Sequence, residues 1–176
     1  SAFCIAAATF FGASVDFAEH RGYVAGDDIR RLLIIERKPD SGNGLSPTNL
    51  YEIQTVPAAD ALAHYAAFHA IPNPWQRQPD SLRLESRLTG WLAGHDKKIG
   101  AYAVGIASEK GIQFMDLDFP NGQEAALQAL IAHVHNEYPE ANGRMVNLGE
   151  DDPAWPVLSA FGYVETMAQY EMLLKL

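Results

Sequence analysis

Cysteine is almost absent from this 176-residue chain, Cys4 being the only one. A single thiol excludes an intrachain disulfide and a cysteine-built zinc site, and points to a reducing compartment, most simply the cytoplasm. Basic charge is also scarce, with 13 Lys and Arg against 22 Asp and Glu. Sixteen of the 22 acids and eight of the 13 bases fall in residues 45–176. Neither part offers the cationic surface that phosphate neutralisation requires, so nucleic acid and anionic membranes are not expected partners. No apolar run reaches the length of a membrane span. The opening "SAFCIAAATFFGA" lacks the positive start of a secretory signal and is expected to be a folded element.

What is present divides the chain in three. "PDSGNGLSPTN" (39–49) is rich in Pro, Gly, Ser and Asn without periodicity and reads as a linker. Before it, residues 1–38 read as strand, helix and strand: "FCIAAAT", "FFGASVDFAEHR" stopped by Gly22, and "IRRLLIIE". After it, residues 50–176 hold enough signals for a complete domain. Strands are expected at 50–56, on both sides of a polar turn at His95 to Lys98, at 111–119, at "GRMVNLGE" and at "AQYEMLLKL". Helices are expected at 58–70, at 80–88 with Asp80 as cap, at 122–139 and at "DDPAWPVLSAFG". In the 122–139 helix Leu127, Leu130, Ile131, Val134 and Tyr138 share one face. The order describes an α/β fold with a mixed, mostly antiparallel sheet flanked by helices.

Gly-Tyr-Val occurs twice, at "RGYVAG" (21–26) and "FGYVET" (161–166). Glycine after a helix adopts the left-handed conformation cheaply, and the aromatic that follows starts the next strand. "RLLIIE" is apolar enough to associate if left unpaired, so it either docks on the sheet of the second region or completes a dimer.

Residues 50–176 resemble a domain of the GNAT superfamily of acyl-CoA-dependent N-acyltransferases. The resemblance is carried by the order of elements and by "DDPAWPVLSAFGYVETMAQYEMLLKL", with Ala154, Gly162-Tyr163, Tyr170-Glu171-Met172 and Leu174 at signature positions. The repeated Gly-Tyr-Val makes residues 1–38 resemble the end of another such unit, as in a tandem-GNAT protein. The resemblance implies acetyl transfer from acetyl-CoA to a small-molecule or peptide amine, with the cofactor against Leu117, Phe119, Asn121, Gly122 and Gln123. It also puts an acceptor-binding wall in "PNPWQRQPD" (72–80), where Trp75 and Arg77 are the candidate contacts.

The family pattern is broken in two places. Its phosphate loop, Q/R-x-x-G-x-G/A, corresponds to "DFPNGQEAALQAL", which has one glycine and places Glu124 where a bound phosphate would sit. The family tyrosine that protonates the departing thiolate falls at Leu158, and the family asparagine at Asp151. Asp116 and Asp118, two apart on one strand face, are the candidate catalytic base, since paired carboxylates in a desolvated cleft can hold one raised pKa. The alternative is that they face water or pair with Lys or Arg. The histidines lack metal-ligand spacing, His133 and His135 being two apart and His64 and His69 five. Two functions are thus in view: an N-acetyltransferase, or a degenerate GNAT domain acting as scaffold, dimerisation or ligand-recognition module.

Overall fold

The computed structural model describes residues 30–39, 50–70 and 73–171. The expected strand "FCIAAAT", the helix after it, Gly22, most of the linker and residues 172–176 lie outside the described residues. Among the described residues seven strands form one sheet: β1 (Arg30–Arg37), β2 (Glu52–Pro57), β3 (Thr89–His95), β4 (Lys98–Ser108), β5 (Gly111–Asp118), β6 (Gly143–Gly149) and β7 (Val164–Glu171). Their spatial order is β2-β3-β4-β5-β6-β1-β7, with β5 and β6 parallel and every other pair antiparallel.

The place of β1 changes the division read from the sequence. It lies inside the sheet, hydrogen-bonded to β6 on one side (Leu32 opposite Gly149, Arg37 opposite Gly143) and to β7 on the other (Arg30 opposite Glu171, Glu36 opposite Val164). Residues 50–171 without β1 would leave a gap between β6 and β7, so the region after the linker is not a complete sheet by itself. Leu33 and Ile35 are buried beside Met145 and Leu148 in the main core, which places the apolar residues of "RLLIIE" without a second copy of the chain.

The main helix, α4 (Glu124–Glu137), buries Leu127, Leu130, Ile131 and Val134 on one face of the sheet. With α5 (Ala154–Ala160), which adds Val157 and Leu158, it closes the larger core around Phe114, Trp91 and Leu117. A smaller core on the opposite face joins Ala61, Leu62, Leu82, Leu92, Tyr102 and Val104. The 58–70 helix is irregular, running as α1 (Ala58–Leu62) and α2 (Tyr65–Phe68) with His64 N–H bonded to Ala61 O across the break. This tightened turn seats Leu62 in the core and brings His69, extended after the helix, toward β5. The 80–88 helix shrinks to α3 (Pro79–Leu82): Gln78, not Asp80, is its N-cap, and Leu84 is 87% exposed with no core to extend onto.

Local turns follow side-chain chemistry. Asp96 and Lys97, φ 49° and 64°, form the two-residue hairpin loop between β3 and β4, a geometry that matches strand twist. Gly162 takes φ 86° after α5, and Tyr163 enters the core behind it, 1% exposed.

Candidate functional site

The parallel pairing of β5 with β6 covers only Ile112, Gln113 and Phe114 against Gly143, Arg144 and Met145. Beyond these residues no ladder joins the two strands. Such a crevice at the carboxyl ends of parallel strands is where open α/β sheets receive ligands. Two bulges aim side chains and carbonyls into it. Met115 is the extra residue where Phe114 pairs with Gly105 and Asp116 with Val104. On β6 the register slips between Met145 and Leu148, and Asn147 adopts φ 61°, which turns its carbonyl out of the ladder.

Arg77 fills the crevice. Its side chain, 1% exposed, donates from Nη2 to Asp116 Oδ1 on β5 (2.9 Å) and from Nη1 to the Asn147 carbonyl on β6 (3.1 Å), with Asp152 Oδ2 3.5 Å from Nη1. The 3₁₀ turn Trp75–Arg77 makes this possible by sending its two ends in opposite directions. Trp75 is 45% exposed. The two residues expected to share an acceptor wall are therefore separated, one in solvent and one in the sheet.

Asp116 and Asp118 both lie on the strand face that carries Tyr102, and both are buried. Asp116 accepts four hydrogen bonds: Asn73 Nδ2 (2.7 Å) and Arg77 on Oδ1, and the Tyr102 hydroxyl and His69 Nε2 (3.2 Å) on Oδ2. That uses the capacity of a carboxylate and leaves no lone pair for a substrate proton. Asp118 accepts its neighbour's Phe119 N–H on Oδ1 (2.8 Å) and His69 Nδ1 on Oδ2 (3.0 Å). The carboxylates thus do not share a proton; an imidazole stands between them.

Burial by itself lowers the pKa of His69, but the hydrogen bonds and charges of Asp116 and Asp118 outweigh it and raise it to about 9. With both ring nitrogens facing carboxylates, His69 is a fixed imidazolium at neutral pH. Burial, then the Asp116 charge, push the Tyr102 hydroxyl far above its usual range, so it remains a donor. Burial also raises Asp152, against the pull of Arg77. Two cations, Arg77 and His69, lie against Asp116, Asp118 and Asp152: an ion-paired cluster inside the cleft, with the alternative of pairing realised and extended by a histidine.

Only part of this cluster reaches open space. A cavity of about 100 Å³ is bordered by Phe68, His69, Asn73, Asp118, Phe119 and Asn121. Drug-sized ligands occupy sites of roughly 300–1,000 Å³. The residues expected at the cofactor do not form a phosphate cradle. Leu117 is fully buried in the main core, and Phe119 packs there too. Pro120 to Gln123 form a β-turn closed by Gln123 N–H to Pro120 O (3.0 Å), with Gly122 at φ 80°, the type II geometry that demands glycine. Gln123 is spent on this turn and on the N-cap of α4, and Glu124 follows in the first helical turn. Leu158 is fully buried and Asp151 is exposed. The stretch from Pro120 is thus a plain turn leading into a helix, without the glycine-rich loop of the family pattern.

The sequence reading missed His69, Asn73, Tyr102 and Asp152. A signal was there: two acids on one buried strand require cations, and "HAIPNPWQR" (69–77) supplies His69 and Arg77 beside them. Among the described residues, no group of three His, Cys, Asp or Glu is arranged to hold a metal, and no helix is long and apolar enough to cross a membrane.

No protein-family model matches the sequence, and no curated protein matches it. Solved structures do. A functionally unknown conserved protein from Staphylococcus epidermidis is similar with a TM-score of 0.61 at 17% identity, over 91% of this chain and 66% of that one. A GCN5-related N-acetyltransferase from Kribbella flavida gives 0.56 at 12%, over 90% and 63%. A tandem GNAT protein from the clavulanic acid biosynthesis pathway gives 0.57 at 15%, over 97% and 62%. In each case the chain spans less than two thirds of the protein it resembles. With the sheet order above, these similarities establish that the chain has the fold of the GNAT acetyltransferases.

Proposed function

We propose that this chain is a GNAT-fold module that does not itself transfer an acetyl group, and that it serves as a scaffold or recognition half beside a catalytic half. One observation carries the reading: Arg77 crosses the crevice between β5 and β6 and is bound to both strands. A ligand entering there must displace a buried guanidinium and leave Asp116 with one cation fewer, which costs several kcal/mol. The saturated Asp116, the plain turn at Pro120–Gln123 and the buried Leu158 support the same reading. A tandem arrangement, with a second unit beside this one, is part of the proposal; β1 is bonded within this sheet and belongs to this unit, and the similarity to a tandem GNAT protein supports a second one.

A second reading has a specific observation in its favour. Asp118, Phe119 and Asn121 border the cavity, so an acetyltransferase acting on a small-molecule or peptide amine would use Asp118, the carboxylate of the pair that meets open space. Cytoplasmic location and a homodimer belong to either version. Calorimetric titration of acetyl-CoA into the chain, with free CoA as control, separates the readings. The first predicts no heat and no thermal stabilisation at millimolar ligand. One-to-one binding at micromolar strength would overturn it and move attention to Asp118 variants.

A further inference from the structure

The other end of β6 carries a site of opposite character. A groove of about 450 Å³ opens where β1 ends and β6 and β7 begin, bordered by Glu36, Arg37, Lys38, Arg144, Val164 and Thr166. Among the described residues three bases border it with one acid, in a protein whose formal net charge is −9. Glu36 lies 3.6 Å from Arg144. Arg37 is held differently: its Nε donates to the Phe161 carbonyl (2.7 Å) and its Nη1 to His135 Nδ1 (3.3 Å).

Both of those acceptors are neutral. Burial, and then the Arg37 charge, lower the His135 pKa to about 4, and its Nε2 faces the Tyr163 hydroxyl at 3.0 Å. Among the described residues no carboxylate forms an ion pair with Arg37, so a half-buried guanidinium is oriented by groups that leave its charge uncompensated. A positioned charge of this kind is completed by an oxyanion, which gains charge-assisted hydrogen bonds. The groove is as large as ordinary small-molecule sites, and exposed Val164 gives it an apolar wall. It lies about four residues along β6 from Asn147, roughly 13 Å at strand rise, and shares no residue with the cleft.

We propose that this groove binds a small organic anion, a carboxylate or phosphate monoester on an apolar body, with the oxyanion among Arg37, Lys38 and Arg144 and the body over Val164. Phenyl phosphate and benzoate are the probes, with benzyl alcohol and sodium chloride of matched ionic strength as controls, read by amide chemical shifts of the full chain. The expected result is saturable binding by at least one anion, with shifts at Gly143, Arg144 and Val164. Lys38→Glu and Arg144→Glu, both at exposed positions, should each weaken it about tenfold, the loss of one charge-assisted contact. Glu36→Gln should tighten it, which a merely structural role for these residues does not predict. Equal shifts from the controls, no saturation by either anion, or shifts confined to Asp118 and Phe119 would each overturn the proposal.

Discussion

His69 is the residue on which the electrostatics of the cleft turn. Its folded pKa, about 9, stands above the ordinary 6.5, so the folded state holds this proton more tightly than the unfolded one. The resulting stability is fully present below pH 6.5 and is lost as pH rises through 9, up to about 3 kcal/mol for a shift of this size. His135 works in the opposite sense. Its pKa is lowered to about 4, so stability is full above 6.5 and is lost as pH falls toward 4. Denaturant unfolding across pH 4–10 should therefore show a maximum near pH 6.5, and His69→Gln should flatten the alkaline limb alone. An alkaline limb unchanged in His69→Gln would mean that the ring is neutral. Arg77→Met should destabilise by about 3–5 kcal/mol, because it strands Asp116 with one cation fewer; a loss under about 1 kcal/mol would show that the bridge between β5 and β6 is not a structural tie.

At the scale of elements, the patterned segments were legible and the paired ones were not. The 3.6-residue spacing of Leu127, Leu130, Ile131 and Val134 predicted α4, and each of the four is buried. Helix-ending Gly162 and the polar turn at His95 to Lys98 were equally readable, because Gly, Asp and Lys there act through local backbone geometry. Docking of β1 on the sheet was one of two alternatives, but its insertion between β6 and β7 was not foreseen, since strand neighbours depend on contacts more than a hundred residues apart. The cleft was half legible. Asp116 and Asp118 stood out, but the broken α1–α2 turn that delivers His69 has no sequence signature, and Arg77 reads the same on a surface as in a core. Because β1 is bonded on both sides, a protease site placed within residues 40–49 should cut the chain without separating it. The two fragments should co-elute in size-exclusion chromatography and part only in denaturant. Separation in native buffer would mean that the β6 and β7 ladders to β1 do not persist in solution.

At the scale of the molecule, the described residues have the sheet and helix order of an acetyltransferase fold, with Arg77 lying across the crevice between β5 and β6. The order of layers comes from apolar burial, Leu33 and Ile35 included, and is indifferent to what fills the cleft. What fills it is a small set of polar residues, Arg77, His69, Asn73 and Tyr102, gathered on Asp116. Fold and chemistry are thus separable here, which is why neighbours at 12–17% identity share the architecture without fixing the activity. The most direct test is nitrogen-15 NMR of the His69 ring and the Arg77 guanidinium between pH 6 and 10, with and without millimolar acetyl-CoA. A permanently closed, ion-paired cleft predicts both His69 nitrogens protonated until about pH 9 and Arg77 signals indifferent to acetyl-CoA. A His69 that titrates at 6.5 or below, or Arg77 signals that move with the thioester, would contradict it.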